Sequence, residues 1–121
     1  MKKIFISSDH AGFNLKEYVK NNLTKKRIKI IDLGPSNNDK VDYPLFAHKL
    51  SKKVQQNIKY IGILVCGSGT GMCITANKYK KIRAAQCFSE KSTKLSRLHN
   101  DANIITLGAR LISKKKALKF I

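Results

Sequence analysis

The chain has no tryptophan, only two prolines and three cysteines in 121 residues. Cys66, Cys73 and Cys87 are an odd and sparse set, which excludes a disulfide scaffold and points to the reducing cytoplasm. Together with His99 they also lack the paired short spacing of a zinc site, so no metal is expected. Long apolar runs are missing too. No stretch approaches the ~18–20 apolar residues of a membrane span. The opening MKKIFISSDHAG has a basic start, but polar SSDH cuts its apolar run too short for a secretory signal. With no repeats and no linker, residues 1–121 are expected to form one domain around one core.

Acidic side chains are scarce: seven Asp and Glu face 25 Lys and Arg, a formal charge of +18. Such an imbalance invites a nucleic-acid interpretation, yet the excess is nearly all lysine, the arginines being Arg27, Arg83, Arg97 and Arg110. The lysines are scattered over expected helices and turns, in NLTKKRIK, LSKKVQQ, NKYKK and SKKKALK. No interleaved aromatics form the stacking platform of single-strand binders. The charge is therefore read as a solvated surface that attracts small anions, not as a nucleic-acid interface.

What the sequence does contain is organised around Tyr60 to Lys78, YIGILVCGSGTGMCITANK. Ile61, Ile63, Leu64 and Val65 are too few for a buried helix and suit a strand buried on both faces. The run stops at Cys66. Gly67, Gly69 and Gly71 follow, and Met72 to Lys78 reads as helix. A strand, a glycine turn and a helix gather free backbone N–H groups at one point, an anion site with a thiol at its lip.

Around this unit the pattern alternates. Strands are expected at Lys2 to Ser8, Arg27 to Leu33, Ile82 to Phe88 and Ala102 to Leu107. Helices are expected from Phe13 to Lys25 (inner stripe Phe13, Leu15, Val19, Leu23), from Pro44 to about Gln56, from Ser89 to Leu98, and from Ser113 onward. His99-Asn100-Asp101 is expected as a polar break. Five strands alternating with helices imply right-handed crossovers, hence a three-layer α/β/α, Rossmann-like fold with a five-stranded parallel sheet. Ligands of such sheets bind at the carboxyl ends of the strands.

Familiar signatures fail on the glycine loop. No Gly-Lys-Ser/Thr closes it as in a phosphate-binding Walker loop. Its third glycine stands at 71, one residue short of the dinucleotide fingerprint, and Cys66 and Thr70 replace the outer glycines of a serine elbow. Cys66, read plainly, is a small buried hydrophobe, but its place at a strand end facing a helix start is one that activates thiols. Cys73 and Cys87 lack that placement and are read as core. Asp9 suits the cap of the following helix, and with His10 it also ends a strand neighbouring the loop. His48 is read as a surface residue.

SSDHAGF at 7–13, DLG at 32–34, DYP at 42–44, CGSGTGM at 66–72, ANK at 76–78, IRAA at 82–85, RLHNDAN at 97–103 and LGAR at 107–110 resemble, in order and over nearly the whole chain, the ribose-5-phosphate isomerase B family. The resemblance implies interconversion of ribose 5-phosphate and ribulose 5-phosphate through an enediolate, a step of pentose phosphate metabolism, with no metal or organic cofactor. It implies Cys66 as the base, with backbone N–H groups of Gly67, Ser68, Gly69, Thr70 and Gly71 stabilising the oxyanion and the Ser68 hydroxyl assisting. It implies His99 for ring opening, and Asp9, His10, Tyr43, Asn100 and Arg110 around the sugar phosphate. It also implies a homodimer or homotetramer whose sites draw on two subunits. Family chains continue through a longer C-terminal helix bearing further arginines, beside which the helix from Ser113 is short. Related galactose-6-phosphate isomerase subunits share the glycine loop but usually lack the His-Asn-Asp segment, so His99 to Asp101 favours the pentose reaction. From composition alone, a non-catalytic basic binding module stays open.

Overall fold

The structure is a computed structural model that describes residues 3–121; Lys2, expected to open the first strand, lies outside them. Strands and helices alternate throughout: β1 (Lys3–Ser8), α1 (Phe13–Lys25), β2 (Ile30–Asp32), α2 (Tyr43–Val54), β3 (Tyr60–Cys66), α3 (Thr70–Ala76), β4 (Ala84–Gln86), α4 (Glu90–Asn100), β5 (Ile104–Gly108) and α5 (Lys114–Phe120). The strands form one parallel sheet in the order β2-β1-β3-β5-β4. Among the described residues no helix is long and apolar enough to cross a membrane.

β3 lies at the centre, between β1 (Ile6 opposite Ile63) and β5 (Cys66 opposite Gly108). Its side chains alternate between two cores, which is why its sequence is apolar without interruption. Ile63 and Val65 pack with Leu15 and Val19 of α1 and Phe120 of α5; Leu64 and Cys66 pack with Leu50 of α2 and Met72 of α3. α1 and α2 thus cover opposite faces. The chain leaves β1 into α1 on one face and leaves β3 into α3 on the other, so the carboxyl ends of these two neighbours part around a crevice.

The edge strands are shorter than expected. β2 keeps three residues of Arg27 to Leu33, because Arg27 sits at φ +61° and finishes the turn that ends α1. β4 likewise keeps three of Ile82 to Phe88, after Lys81 at φ +66°. Asn77 borders β4 where a further strand would lie, its Oδ1 accepting from the Ala84 N–H (2.8 Å) and its Nδ2 donating to the Ala84 carbonyl (3.0 Å). α2 and α3 each begin and end slightly before their expected limits, and β5 is shifted to 104–108. α5 begins as expected, with the Ser113 hydroxyl accepting from the Lys116 N–H.

Two corrections bear on chemistry. α4 runs two residues past Leu98, so His99 and Asn100 form its last turn and the break falls at Asp101, which is left-handed at φ +49°. On α1, Phe13 is only half-buried while Lys16 is fully buried. The Lys16 ammonium donates to Asp32 Oδ2 (2.7 Å) and Glu17 Oε2 (2.8 Å), and Lys20 bridges the same two carboxylates. A buried ammonium persists only when paired in this way.

Burial pushes the Asp32 carboxyl up, but hydrogen bonds from Lys16 and Lys20 outweigh it and hold the group below its usual 3.8. Glu17 is lowered by the same contest. A depressed carboxyl contributes stability that is present above its ordinary pKa and lost as pH falls through the folded value. Asp32→Asn should therefore lower the melting temperature at pH 7 and flatten its decline below about pH 4. Thermal melts of both proteins across that range check this; parallel curves would show that the cluster does not set the acid limit.

Candidate active site

The crevice between β1 and β3 holds a cavity of about 290 Å³ lined by Asp9, Tyr43, Cys66, Gly67, Ser68, Gly71, Arg110 and Leu111. Each wall comes from the carboxyl end of a strand or from the segment after it. Asp9 follows β1 and is fixed twice: its N–H donates to the Val65 carbonyl (3.1 Å), and its Oδ1 accepts from the Gly12 N–H (2.9 Å) where α1 begins. The expected cap falls to Gly12, and the nine-tenths buried Asp9 carboxylate instead braces that residue while lining the cavity.

Cys66 ends β3, buried, with the Gly69 N–H donating to its Sγ at 3.0 Å. Only glycine suits position 69, which lies at φ +83° and turns the loop into α3. The loop is braced from β4: Gln86 Nε2 donates to the Ser68 carbonyl (3.0 Å) and to Thr70 Oγ1 (2.9 Å), while the Thr70 N–H donates to Ser68 Oγ (3.2 Å). Among the described residues no acceptor meets the N–H groups of Gly67, Ser68 and Gly71. Three unspent donors therefore stand beside an oriented thiol, an arrangement suited to an oxyanion. Burial pushes the Cys73 and Cys87 thiols up, consistent with their packing role, although Cys73 is only half-buried.

β5 delivers the cation. The Ala109 N–H donates to the Cys66 carbonyl (2.8 Å) and the Arg110 N–H to the Gly67 carbonyl (3.0 Å). The Arg110 guanidinium lies across Gly67, Nη1 standing 3.1 Å from where a Cβ on that glycine would be. Among the described residues no carboxylate pairs with it. Across the cavity the Tyr43 ring rests on Gly71, where a Cβ would lie 2.6 Å from the ring.

Other expected residues lie off the wall. His10 turns Nδ1 to the backbone of Val41, whose N–H donates to it at 3.2 Å. Gly69 and Thr70 shape the loop. His99 and Asn100, on the last turn of α4, fall at the amino ends of the strands, where Asn100 borders a hollow with Asn77 and Arg83. One chain does not bring them to Cys66. Leu111 and Gln86 were missed from sequence. Gln86 carried no signal beyond its place near a strand end, and Leu111 looked like an ordinary apolar residue beside Arg110.

The Gly71 contact gives a direct test. Gly71→Ala should push the Tyr43 ring aside while the fold survives, raising KM for a substrate held in this cavity by about tenfold. Steady-state kinetics with a circular-dichroism control check it, and an unchanged KM would take Tyr43 off the binding wall.

Comparison with known proteins bears on the same residues. The family model described as Ribose/Galactose Isomerase matches residues 4–121. A probable ribose-5-phosphate isomerase B of Mycoplasma genitalium is 42% identical over 120 residues, covering 98% of this chain and 79% of the relative. The ribose-5-phosphate isomerase B of Escherichia coli is 38% identical over 117 residues, covering 97% and 78%. Among solved structures, the Thermotoga maritima ribose 5-phosphate isomerase superposes with a TM-score of 0.95 at 46% identity, covering 98% of this chain and 82% of that one. The Mycoplasma genitalium enzyme with bound ribulose 5-phosphate gives 0.94 at 42%, covering 98% and 79%. With a family model matched over residues 4–121 and a fold that superposes on these structures, the chain belongs to the ribose/galactose isomerase family.

Proposed function

We propose that this protein is an aldose–ketose isomerase that interconverts ribose 5-phosphate and ribulose 5-phosphate. The observation that carries this is the Cys66 thiol, held by the Gly69 N–H beside three free backbone donors and opposite Asp9 in one cavity. The His99-Asn100-Asp101 segment favours the pentose over the hexose reaction.

Isomerisation moves one proton between adjacent carbons. Cys66 takes it from C2 of the open-chain aldose and returns it to C1, and negative charge gathers meanwhile on the oxygens of the enediolate. Donors fixed in advance at that charge lower the barrier without reorganising, the role of the Gly67, Ser68 and Gly71 amides, with the Ser68 hydroxyl assisting. Asp9, acceptor-only when ionised, has an oxygen left for the sugar hydroxyls after serving Gly12. Arg110, without a carboxylate partner, takes the phosphate through its planar donor fork. Tyr43 completes the sugar side, and His10, off the wall, holds the Val41 backbone two residues before it.

Ring opening falls to His99, with Asn100 beside it, both supplied by a second subunit. The distance between α4's last turn and the cavity within one chain supports this. So do the exposed Leu98, next to His99, and Leu111, next to Arg110, apolar side chains suited to a contact between copies. A homodimer is the simplest assembly that closes such sites, each face meeting its counterpart around a two-fold axis.

Cys66→Ala should lower kcat by roughly 10² to 10⁴ with KM little changed, the range for loss of a general base. Arg110→Ala should do the opposite, raising KM far more than it lowers kcat, because phosphate contacts persist from ground state to transition state. Coupled assays with ribose 5-phosphate measure both; near-normal turnover in Cys66→Ala would assign the proton transfer elsewhere. Subunit sharing has its own test. Mixing inactive Cys66→Ala with inactive His99→Ala and allowing exchange should restore up to about a quarter of parental activity, one intact site per mixed dimer. No recovery from demonstrably mixed oligomers would place His99 outside the partner's site.

A further inference from the structure

The DLG segment at 32–34 and the buried Lys16 take no part in the chemistry above, yet both are tied to it by hydrogen bonds and the short chain segments these hold. Both oxygens of Asp32 are committed: Oδ2 to Lys16 (2.7 Å) and Lys20 (2.8 Å), Oδ1 to the Gly34 N–H (2.8 Å). The Gly34 carbonyl accepts from the Ser7 hydroxyl (2.8 Å) and from the Ser8 N–H (3.2 Å). Gly34 is thus clamped at both polar groups between the end of β2 and the end of β1, and the residue after Ser8 is Asp9. From Gly34 the chain runs without regular secondary structure to α2, which opens with Tyr43. Its far end is tied back by the Val41 N–H to His10. Lys16 itself stands on α1, whose start holds Asp9 Oδ1.

We propose that Lys16 and Asp32 are positioning residues that set the spacing of Asp9 and Tyr43 on the sugar-binding wall, acting through Gly34 and Ser7 without touching the substrate. This rests on the site assignment made under the proposed function. An ammonium with no exposed surface is a poor stabilising device, since a well-packed apolar pair often serves as well. It does, however, fix a carboxylate in one orientation. That orientation decides where Gly34, and with it both flanking segments, can sit. Cys66, the glycine loop and Arg110 come from β3 and β5 and lie outside this network, so its loss should damage one wall of the cavity and spare the other.

The experiment compares Asp32→Ala, Asp32→Asn, Lys16→Met and Ser7→Ala with the parent, at a temperature where circular dichroism shows each folded. In Asp32→Ala, kcat/KM for ribose 5-phosphate should fall roughly ten- to a hundredfold, the cost of about 1 Å of misplacement. Inhibition by inorganic phosphate and the rate of Cys66 alkylation by iodoacetamide should stay at the parental level. Ser7→Ala should show a smaller loss of the same kind, and the Ser7→Ala/Asp32→Ala double variant should be no worse than Asp32→Ala, because the two share one path. Parental kcat/KM in folded Asp32→Ala or Ser7→Ala would overturn the proposal, as would equal loss of phosphate inhibition and thiol reactivity. If Asp32→Ala and Lys16→Met do not fold, Asp32→Asn and Ser7→Ala decide by the same criteria. Asp9→Asn in the same assay separates the two ideas: parental kinetics there would fault the assignment of the wall, not its positioning.

Discussion

The site depends on where the helices change sides. In a parallel sheet every strand delivers its last residue to the same edge, and neighbouring helices normally close over that edge. Between β1 and β3 they cannot, because α1, which follows β1, lies on one face and α3, which follows β3, on the other. The crevice left there is a consequence of strand order. Asp9, Cys66 and Arg110 are far apart in sequence, and they meet because Cys66 ends β3 while Asp9 and Arg110 stand just past the ends of β1 and β5. The glycine loop occupies the same edge because a loop must connect β3 to α3 at that height.

Much of this could be read from the residues alone, and the reasons are local. The apolar run of β3, broken only by Gly62, its stop at Cys66 and the three glycines after it each reflect interactions within a few residues, so they leave a legible trace. The tie between Asp9 and the start of α1 was legible for the same reason, since its partner Gly12 lies three residues away. Edge strands were overestimated because β propensity in RIKIIDL says nothing about having a partner on one side only, and Arg27 was needed to finish a helix.

What sequence did not disclose is set by distant partners. Lys16 reads as one more surface lysine until Asp32 and Glu17 are seen beside it. Gln86 braces the glycine loop through two hydrogen bonds that no periodicity encodes. His99 and Asn100 looked like a break because they are polar, yet a helix end tolerates polar residues, and the left-handed turn fell to Asp101. Their expected place beside Cys66 is not made within one chain. Charge shows the same limit: a total of +18 is a property of the whole chain, while the geometry puts on the cavity wall one arginine that meets no carboxylate among the described residues.

Asn77 carries a consequence of a different kind. Its carboxamide meets both the N–H and the carbonyl of Ala84 and so imitates a next strand, of which there is none beside β4 among the described residues. A bare edge at β4 would offer those groups to any extended peptide, including the same edge of another molecule. By occupying them, one side chain ends the sheet chemically as well as geometrically, and denies the protein a route into open-ended β assembly while it is crowded or newly made.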